Sequence, residues 1–181
     1  MKTHIILLRG INVGGHRKVP MAELRELLSG LGCQDVQTYI QSGNVVLHSS
    51  ETPEKLKLNI QKAILSNFGF EVLILVKTYI ELQDIYDKCP FQNEAKEKSY
   101  FMMLDNSPNK SGLEEVSKLS YDGEEFKITD SAIYFYSANG YGRTKFNSNF
   151  FERQLKVNAT ARNYKTMLKI LAMAKETESK L

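Results

Sequence analysis

The spacing of apolar residues over the first 77 residues predicts strands and helices in the order βαββαβ. Short apolar runs predict the strands, and Leu24, Leu28 and Leu31 recur at helical spacing on one face. The predicted elements are a strand at 3–8, a helix at 20–31, strands at 36–41 and 45–49, a helix at 52–68 and a strand at 71–76. This order is typical of a ferredoxin-like unit, for which we predict the sheet order 4-1-3-2.

A connection and a second α/β segment follow. Thr78 and Glu81 form a capping box that predicts a helix to about Lys88, and the polar residues 89–98 predict a linker. Beyond them we predict a strand at 99–104, a helix at 107–119, strands at 125–129 and 132–137, and helices at 147–156 and 162–175. No convincing residue-level repeat relates this segment to the first, so duplication of the unit is a hypothesis.

We therefore predict an α+β fold with mainly antiparallel sheets and a C-terminal helix. The predicted organisation is a ferredoxin-like βαββαβ subdomain at 1–77, a connecting helix and linker at 78–98, and a second α/β subdomain at 99–181. A chain of 181 residues is long enough for two small cores.

Composition narrows the class of protein. No apolar stretch approaches the ~20 residues that span a bilayer, and the first apolar run is too short for a signal-peptide core. Cys33 and Cys89 lie far apart, and the 3 histidines and 2 cysteines show no metal-ligand spacing. We expect a cytoplasmic protein with reduced thiols, no membrane partner, no metal and no cofactor.

Charge is unevenly distributed although the net charge is only +3. Residues 142–172 carry seven cations and one anion, Glu152. On the predicted C-terminal helix, Arg162, Lys165 and Lys169 lie opposite an apolar face. That basic face is either solvated or in contact with a polyanion.

The loop "RGINVGG", residues 9–15, is the first candidate site. It lies between a predicted strand and helix, and the ferredoxin-like topology places it at the same edge of the sheet as the turn Ser42-Gly43-Asn44. Glycine-rich backbone, a helix N-terminus and the cations Arg17 and Lys18 all favour an anion. The loop lacks the Lys-Ser/Thr of a P-loop and the GxGxxG of a dinucleotide site. Tight turns that require glycine are the structural alternative for both segments.

A second glycine-rich cationic loop, "NGYGRTK", occupies residues 139–145. It contributes Arg143 and Lys145, and Tyr141 either stacks on a base or covers the core.

Three stretches together resemble a family of bacterial proteins of unknown function, DUF1697. They are "LLRGINVGGHRKVPMAEL", "TYIQSGNVVL" and "GYGRTKFNSNFFERQLKVNATARNYKTMLKIL". The resemblance implies two linked α/β subdomains of ferredoxin-like character, and it implies no established activity. This chain departs from the family at Tyr164, where Trp is frequent, and at Phe146, where an aliphatic residue is usual; both keep the bulk.

Three functions remain open. The preferred hypothesis is binding of a phosphorylated or anionic ligand, nucleotide or nucleic acid, at the glycine-rich cationic loops. The alternatives are an enzyme for a small phosphorylated or acidic substrate, with His16 as the nearest proton carrier, and a non-catalytic protein-interaction module. Whether the chain is an enzyme stays open. The candidate ligand-binding residues are Arg9, Gly10, Asn12, Gly14, Gly15, Arg17, Lys18, Ser42, Gly43, Asn44, Arg143, Lys145, Arg162 and Asn163.

Overall fold

Seven helices and eight strands make up the part of the chain that the structure describes, which is residues 1–138, 140 and 144–180 of a computed structural model. The strands are β1 (Lys2–Leu8), β2 (Gln34–Tyr39), β3 (Asn44–Ser49), β4 (Ile74–Lys77), β5 (Tyr100–Leu104), β6 (Glu124–Ile128), β7 (Ala132–Ser137) and β8 (Ala159–Asn163). The helices are α1 (Met21–Gly30), α2 (Pro53–Phe68), α3 (Tyr79–Asp87), α4 (Asn93–Glu97), α5 (Lys110–Val116), α6 (Ser148–Leu155) and α7 (Tyr164–Glu178). The predicted α+β class is confirmed.

The first sheet has the strand order β2-β3-β1-β4, and every neighbouring pair is antiparallel. The predicted order 4-1-3-2 is therefore confirmed. Ile6 in the central strand lies opposite Val45 on one side and Val76 on the other. One face of the sheet packs against the apolar stripes of α1 and α2, which include the fully buried Leu24 and Ile60. This packing removes apolar surface from water, which is the main favourable term in folding.

The C-terminal part of α7 belongs to the same compact unit. Its Thr177 is fully buried, and its carbonyl oxygen lies 3.0 Å from Nε2 of His48 on β3. The Thr177 hydroxyl accepts a hydrogen bond of 3.1 Å from the Gln37 amide on β2. Asp35, also on β2, places a carboxylate oxygen 3.2 Å from Nδ1 of His48. Polar contacts from two strands thus hold the end of the helix.

The second sheet repeats the order of the first. Its order is β6-β7-β5-β8, so β5 to β8 take the places that β1 to β4 take in the first sheet. With α5 and α6 as its helices, this is a second ferredoxin-like βαββαβ unit. Its core is rich in aromatic rings; Phe146 lies 4.7 Å from Phe126 and 5.8 Å from Phe151 between ring centroids.

Two predicted elements differ from the structure. Residues 159–163 form strand β8 paired with β5, so the helix predicted at 162–175 begins at Tyr164. The helical spacing of apolar residues after Asn163 led to the prediction of a helix that also took in the end of this five-residue strand. The side chain of Asn163 caps the helix that follows. The polar segment predicted as a linker contains the short helix α4, in which an i,i+4 ion pair joins Glu94 to Lys98.

Contacts between Cα atoms divide the chain into two units. Residues 1–83 group with residues 169–181, and residues 84–168 form the other unit. We call these the first and second units. The subdomain bounds predicted from the sequence, 1–77 and 99–181, stay a prediction; the contacts assign the C-terminal part of α7 to the first unit.

Candidate functional site

The loop after β1 forms a small exposed hairpin, which we call the finger (residues 12–17). The Asn12 amide donates to the Arg17 carbonyl at 3.1 Å, and the His16 amide donates to the Val13 carbonyl at 3.0 Å. The turn between them is Gly14-Gly15, with φ of +58° and +79°, a combination that suits a two-residue hairpin turn. The glycine pair thus makes a projecting turn, with Val13 67% exposed near its tip.

The Asn12 side chain fixes the base of the finger. Its amide nitrogen donates to the carbonyls of Val19 at 3.0 Å and Gln41 at 2.8 Å, while its oxygen accepts from the Val19 amide at 2.8 Å. Both N–H groups are occupied, so this side chain ties the loop to the hairpin between β2 and β3. The predicted proximity of the loop and that turn follows from the ferredoxin-like topology.

The turn Ser42-Gly43-Asn44 packs directly on the end of β1. The Leu8 amide donates to the Gly43 carbonyl at 2.8 Å, and a Cβ added at Gly43 would lie 2.6 Å from the Leu8 Cβ. Asn44 is buried, and its amide nitrogen donates at 3.0 Å to both the Tyr39 carbonyl and the Ser42 hydroxyl. These contacts account for the residue types at this turn; their role in ligand binding stays a prediction.

Arg9 and Gly10 join the finger to β1. The Arg9 amide donates to the Leu73 carbonyl at 3.0 Å, which fixes the start of the loop beside β4. Gly10 lies close to Arg17, since a Cβ added at Gly10 would lie 3.9 Å from an Nη1 atom of that guanidinium. The side chain of Arg17 therefore folds back toward the base of its own loop.

Arg17 lines a groove between the finger and α2. The groove has a volume of about 500 Å³. Its other lining residues are Leu58, Gln61, Lys62, Leu65, Glu71, Val72 and Leu73. Leu58 is 54% exposed and Leu65 44% exposed, so the walls present apolar surface to solvent. The rim carries two cations and one carboxylate.

The sequence prediction included Arg17 in the site but missed its neighbours on α2. The usable signal is the pair Leu58 and Leu65, two apolar residues seven positions apart that lie outside the buried stripe of Leu56, Ile60 and Ile64. Lys62 lies between them in sequence, so one surface combines exposed leucines with a cation.

Among the described residues, the candidates in the second unit are Lys145, Arg162 and Asn163. The Lys145 ammonium lies 4.6 Å from the centroid of the Tyr121 ring, and its backbone amide donates to the Glu124 carboxylate at 3.1 Å. Arg143, like Tyr141, lies outside the described residues.

Arg162 and Asn163 end strand β8. The Arg162 side chain is buried, and its Nη1 atom donates to the Thr160 hydroxyl and the Ala161 carbonyl, both at 2.8 Å. Burial lowers the pKa of the Arg162 guanidinium to about 10, which leaves it charged at neutral pH. The prediction that Arg162 lies on an exposed basic face of the C-terminal helix is therefore wrong, because Arg162 is buried and belongs to strand β8. Asn163 accepts a hydrogen bond from the Thr166 amide at 2.9 Å and caps α7.

The described residues contain neither a metal-binding cluster nor a membrane-spanning helix. No group of three or more His, Cys, Asp or Glu among the described residues is placed to hold a metal ion. None of the described helices has both the length and the apolar character needed to cross a bilayer.

Comparison with known proteins places the chain in a family. The model of DUF1697, described as a protein of unknown function, matches residues 1–134. Among solved structures, the conserved bacterial protein SP0830 from Streptococcus pneumoniae is similar with 25% sequence identity and a TM-score of 0.71, over 97% of this chain and 99% of that one. The curated proteins contain no match. Because the family model matches well over half of the 181 residues of this chain, the chain belongs to the DUF1697 family.

Proposed function

We propose that the chain binds a small phosphorylated or otherwise anionic ligand in the groove between the finger and α2. The observation that carries the proposal is the position of Arg17, which lines the same groove as Lys62 on α2. Both belong to the first unit. One cation comes from the finger and one from the helix, so an anionic ligand in the groove has a cation available from each wall.

The chemistry of the groove favours a ligand with a charged end and an apolar body. A guanidinium presents paired N–H donors that match phosphate or carboxylate oxygens. Leu58 and Leu65 offer an apolar surface for the rest of the ligand. A volume of about 500 Å³ lies within the range of ~300–1,000 Å³ typical of small-molecule sites. Glu71 on the rim disfavours an additional negative charge at its end of the groove.

Exposed Lys18, next to the finger, extends the cationic surface beyond the groove. The same finger therefore supports the nucleotide form of the proposal, in which the phosphate lies at Arg17. Nucleic acid is the extended form, and its binding would weaken steeply with salt because phosphate contacts release counterions.

A ligand panel tests the proposal. Thermal unfolding is followed with inorganic phosphate, nucleoside monophosphates, sugar phosphates and short oligonucleotides, for the parent chain and for Arg17→Gln, Lys62→Gln and Lys57→Gln. Lys57 is also on α2 but does not line the groove, so it is the matched control. A ligand at a hundred times its Kd stabilises by ~2.7 kcal/mol.

We expect a saturable shift with one phosphate ester, lost in Arg17→Gln, weakened in Lys62→Gln and retained in Lys57→Gln. An equal response of all three variants, or no shift with any anion, would overturn the proposal. A shift with oligonucleotides alone that disappears at moderate salt would replace the pocket with a polyanion surface on the finger.

A further inference from the structure

Strand β6 is the outer strand of the second sheet, paired on one side with β7. Two hydrogen bonds that flank the strand pair show which backbone groups point to its open side. The Thr129 amide donates to the Ala132 carbonyl, and the Ala138 amide donates to the Gly123 carbonyl, both at 2.9 Å. Both pairs continue the register of β6 with β7, so the odd-numbered residues of β6 face β7. The N–H and C=O groups of Glu124, Phe126 and Ile128 therefore point to the open edge.

A groove runs along this open edge. It has a volume of about 650 Å³, and it is lined by all of β6 together with residues of α5 and of the loop that follows α5. Leu113, Leu119, Phe126 and Ile128 supply its apolar surface. Among the described residues, no backbone group pairs with the amides of Phe126 and Ile128, and such an edge strand beside an apolar groove is a template for another strand.

Two opposite charges flank the central residue of β6 at equal distances along the strand. Glu125 and Lys127 flank Phe126 and lie on the opposite face of the sheet. We propose that the occupant of the edge is a second copy of this chain, with β6 of the two copies paired antiparallel about a two-fold axis at Phe126. Glu125 of each copy then lies opposite Lys127 of the other, which gives two opposite-charge pairs.

The backbone fits the same register. Phe126 of one copy lies opposite Phe126 of the other, so each N–H donates to the other's carbonyl. Each Ile128 amide donates to the carbonyl of Glu124 in the second copy. The Glu124 amide already donates to the Tyr121 carbonyl at 3.1 Å and needs no further partner. Glu125 and Lys127 then form non-hydrogen-bonded pairs, in which side chains approach most closely.

Other registers are less favourable. A shift of two residues places Lys127 opposite Lys127, or Glu125 opposite Glu125, and like charges directly opposite are destabilising. A shift of one residue sets the Phe126 face of one copy against the charged face of the other. The proposed register joins two four-stranded sheets into one and covers both apolar grooves. One five-residue strand is a small contact, so the dimer is weak and transient.

Charge-reversal variants of the full chain test this proposal by sedimentation velocity between about 10 µM and 1 mM, a range chosen for a weak interface. The parent chain should show concentration-dependent dimerisation. Glu125→Lys alone and Lys127→Glu alone should each raise the Kd by about tenfold or more, because each creates two like-charge pairs. The double variant Glu125→Lys/Lys127→Glu should restore dimerisation, and a mixture of the two single variants should form the heterodimer. Lys118→Glu, a change of the same sign outside β6, is the control and should leave the Kd unchanged.

Hydrogen exchange supplies a second measurement that does not depend on variants. The amides of Phe126 and Ile128 should gain protection as concentration rises, whereas those of Glu125 and Lys127, already bonded to β7, should not change. A parent chain that stays monomeric throughout, or a dimer with no charge rescue and no protection of Phe126, would overturn the proposal. If the parent chain stays monomeric, an extended segment of another protein becomes the alternative partner for the open edge of β6.

Discussion

The Nε2 atom of His48 lies 3.0 Å from the carbonyl oxygen of Thr177, a residue 129 positions further along the chain. His48 is buried, and its other ring nitrogen lies 3.2 Å from the Asp35 carboxylate. We expect His48→Ala to lower the free energy of unfolding by about 1–3 kcal/mol, because it leaves a buried carbonyl without its donor. Urea denaturation followed by circular dichroism measures the loss.

Asp35→Asn is the comparison for His48→Ala. The Asp35 side chain is 52% exposed, so water can replace its contact with His48, and we expect Asp35→Asn to cost less than the loss of the buried His48–Thr177 hydrogen bond. A larger loss in Asp35→Asn than in His48→Ala would contradict the role assigned to the His48–Thr177 contact.

Gly43 and Gly15 have the same φ of +79° but different surroundings. A Cβ at Gly43 would lie 2.6 Å from the Leu8 Cβ, whereas nothing lies within 4 Å of one at Gly15. Gly15→Ala should cost about 1 kcal/mol of stability from backbone conformation alone. Gly43→Ala should cost at least about 2 kcal/mol more, because the turn must also move away from β1. Equal midpoints of thermal unfolding for the two variants would disprove the close approach of the turn to β1.

Two helical glycines form another matched pair. A Cβ at Gly112 in α5 would overlap the carbonyl oxygen of Gln154 in α6, whereas one at Gly30 in α1 meets nothing within 4 Å. Gly112→Ala should therefore destabilise by about 1–3 kcal/mol through overpacking. Gly30→Ala should be neutral or should stabilise by up to about 1 kcal/mol, since alanine is the better helix former. Chemical denaturation of the two variants decides between these signs.

Tyr86 should ionise at an unusually high pH. The hydrogen bond of 3.4 Å from its hydroxyl to that of Tyr164, followed by burial, raises the pKa of Tyr86 to about 12. An unfolded tyrosine ionises near 10. This contribution to stability is complete below pH ~10 and is lost as the pH rises toward 12, because the unfolded phenol ionises first.

Tyr164→Phe removes the acceptor and should bring the Tyr86 pKa down toward 10. Titration of ¹³C-labelled tyrosine rings by NMR follows the residue directly. Tyr39→Phe, in the first unit, is the control; a Tyr86 midpoint that is the same in all three proteins would rule out the hydrogen bond as the main cause.

Local patterns predicted the first unit well. The stripes on α1 and α2, the Thr78–Glu81 capping box and the sheet order all followed from spacing and topology. The capping box is present, with the Thr78 amide 2.7 Å from the Glu81 carboxylate. Strand β8 escaped prediction because it is short and polar at one end, and because its pairing with β5 is a long-range contact that no local period reveals.

The candidate site was predictable only in part. Residue type identified Asn12 and Asn44, but sequence alone could not show that their amide groups are engaged with carbonyls of their own unit. That Arg17 and Lys62 line the same groove depends on the packing of the finger beside α2, which is a tertiary property. The pattern of charges in the sequence therefore identified Arg17, whereas Lys62 was recognised only from the packing of the folded chain.

The first unit is discontinuous in the chain, because residues 169–181 join residues 1–83 after the second unit has intervened. During translation, the whole second unit is synthesised before the segment that contains Thr177. Until that segment is made, His48 and Gln37 lack their hydrogen-bond partner Thr177 on α7. The first sheet therefore lacks these contacts while the second unit is already able to fold. The order of maturation is thus inverted: the unit made first is the one completed last.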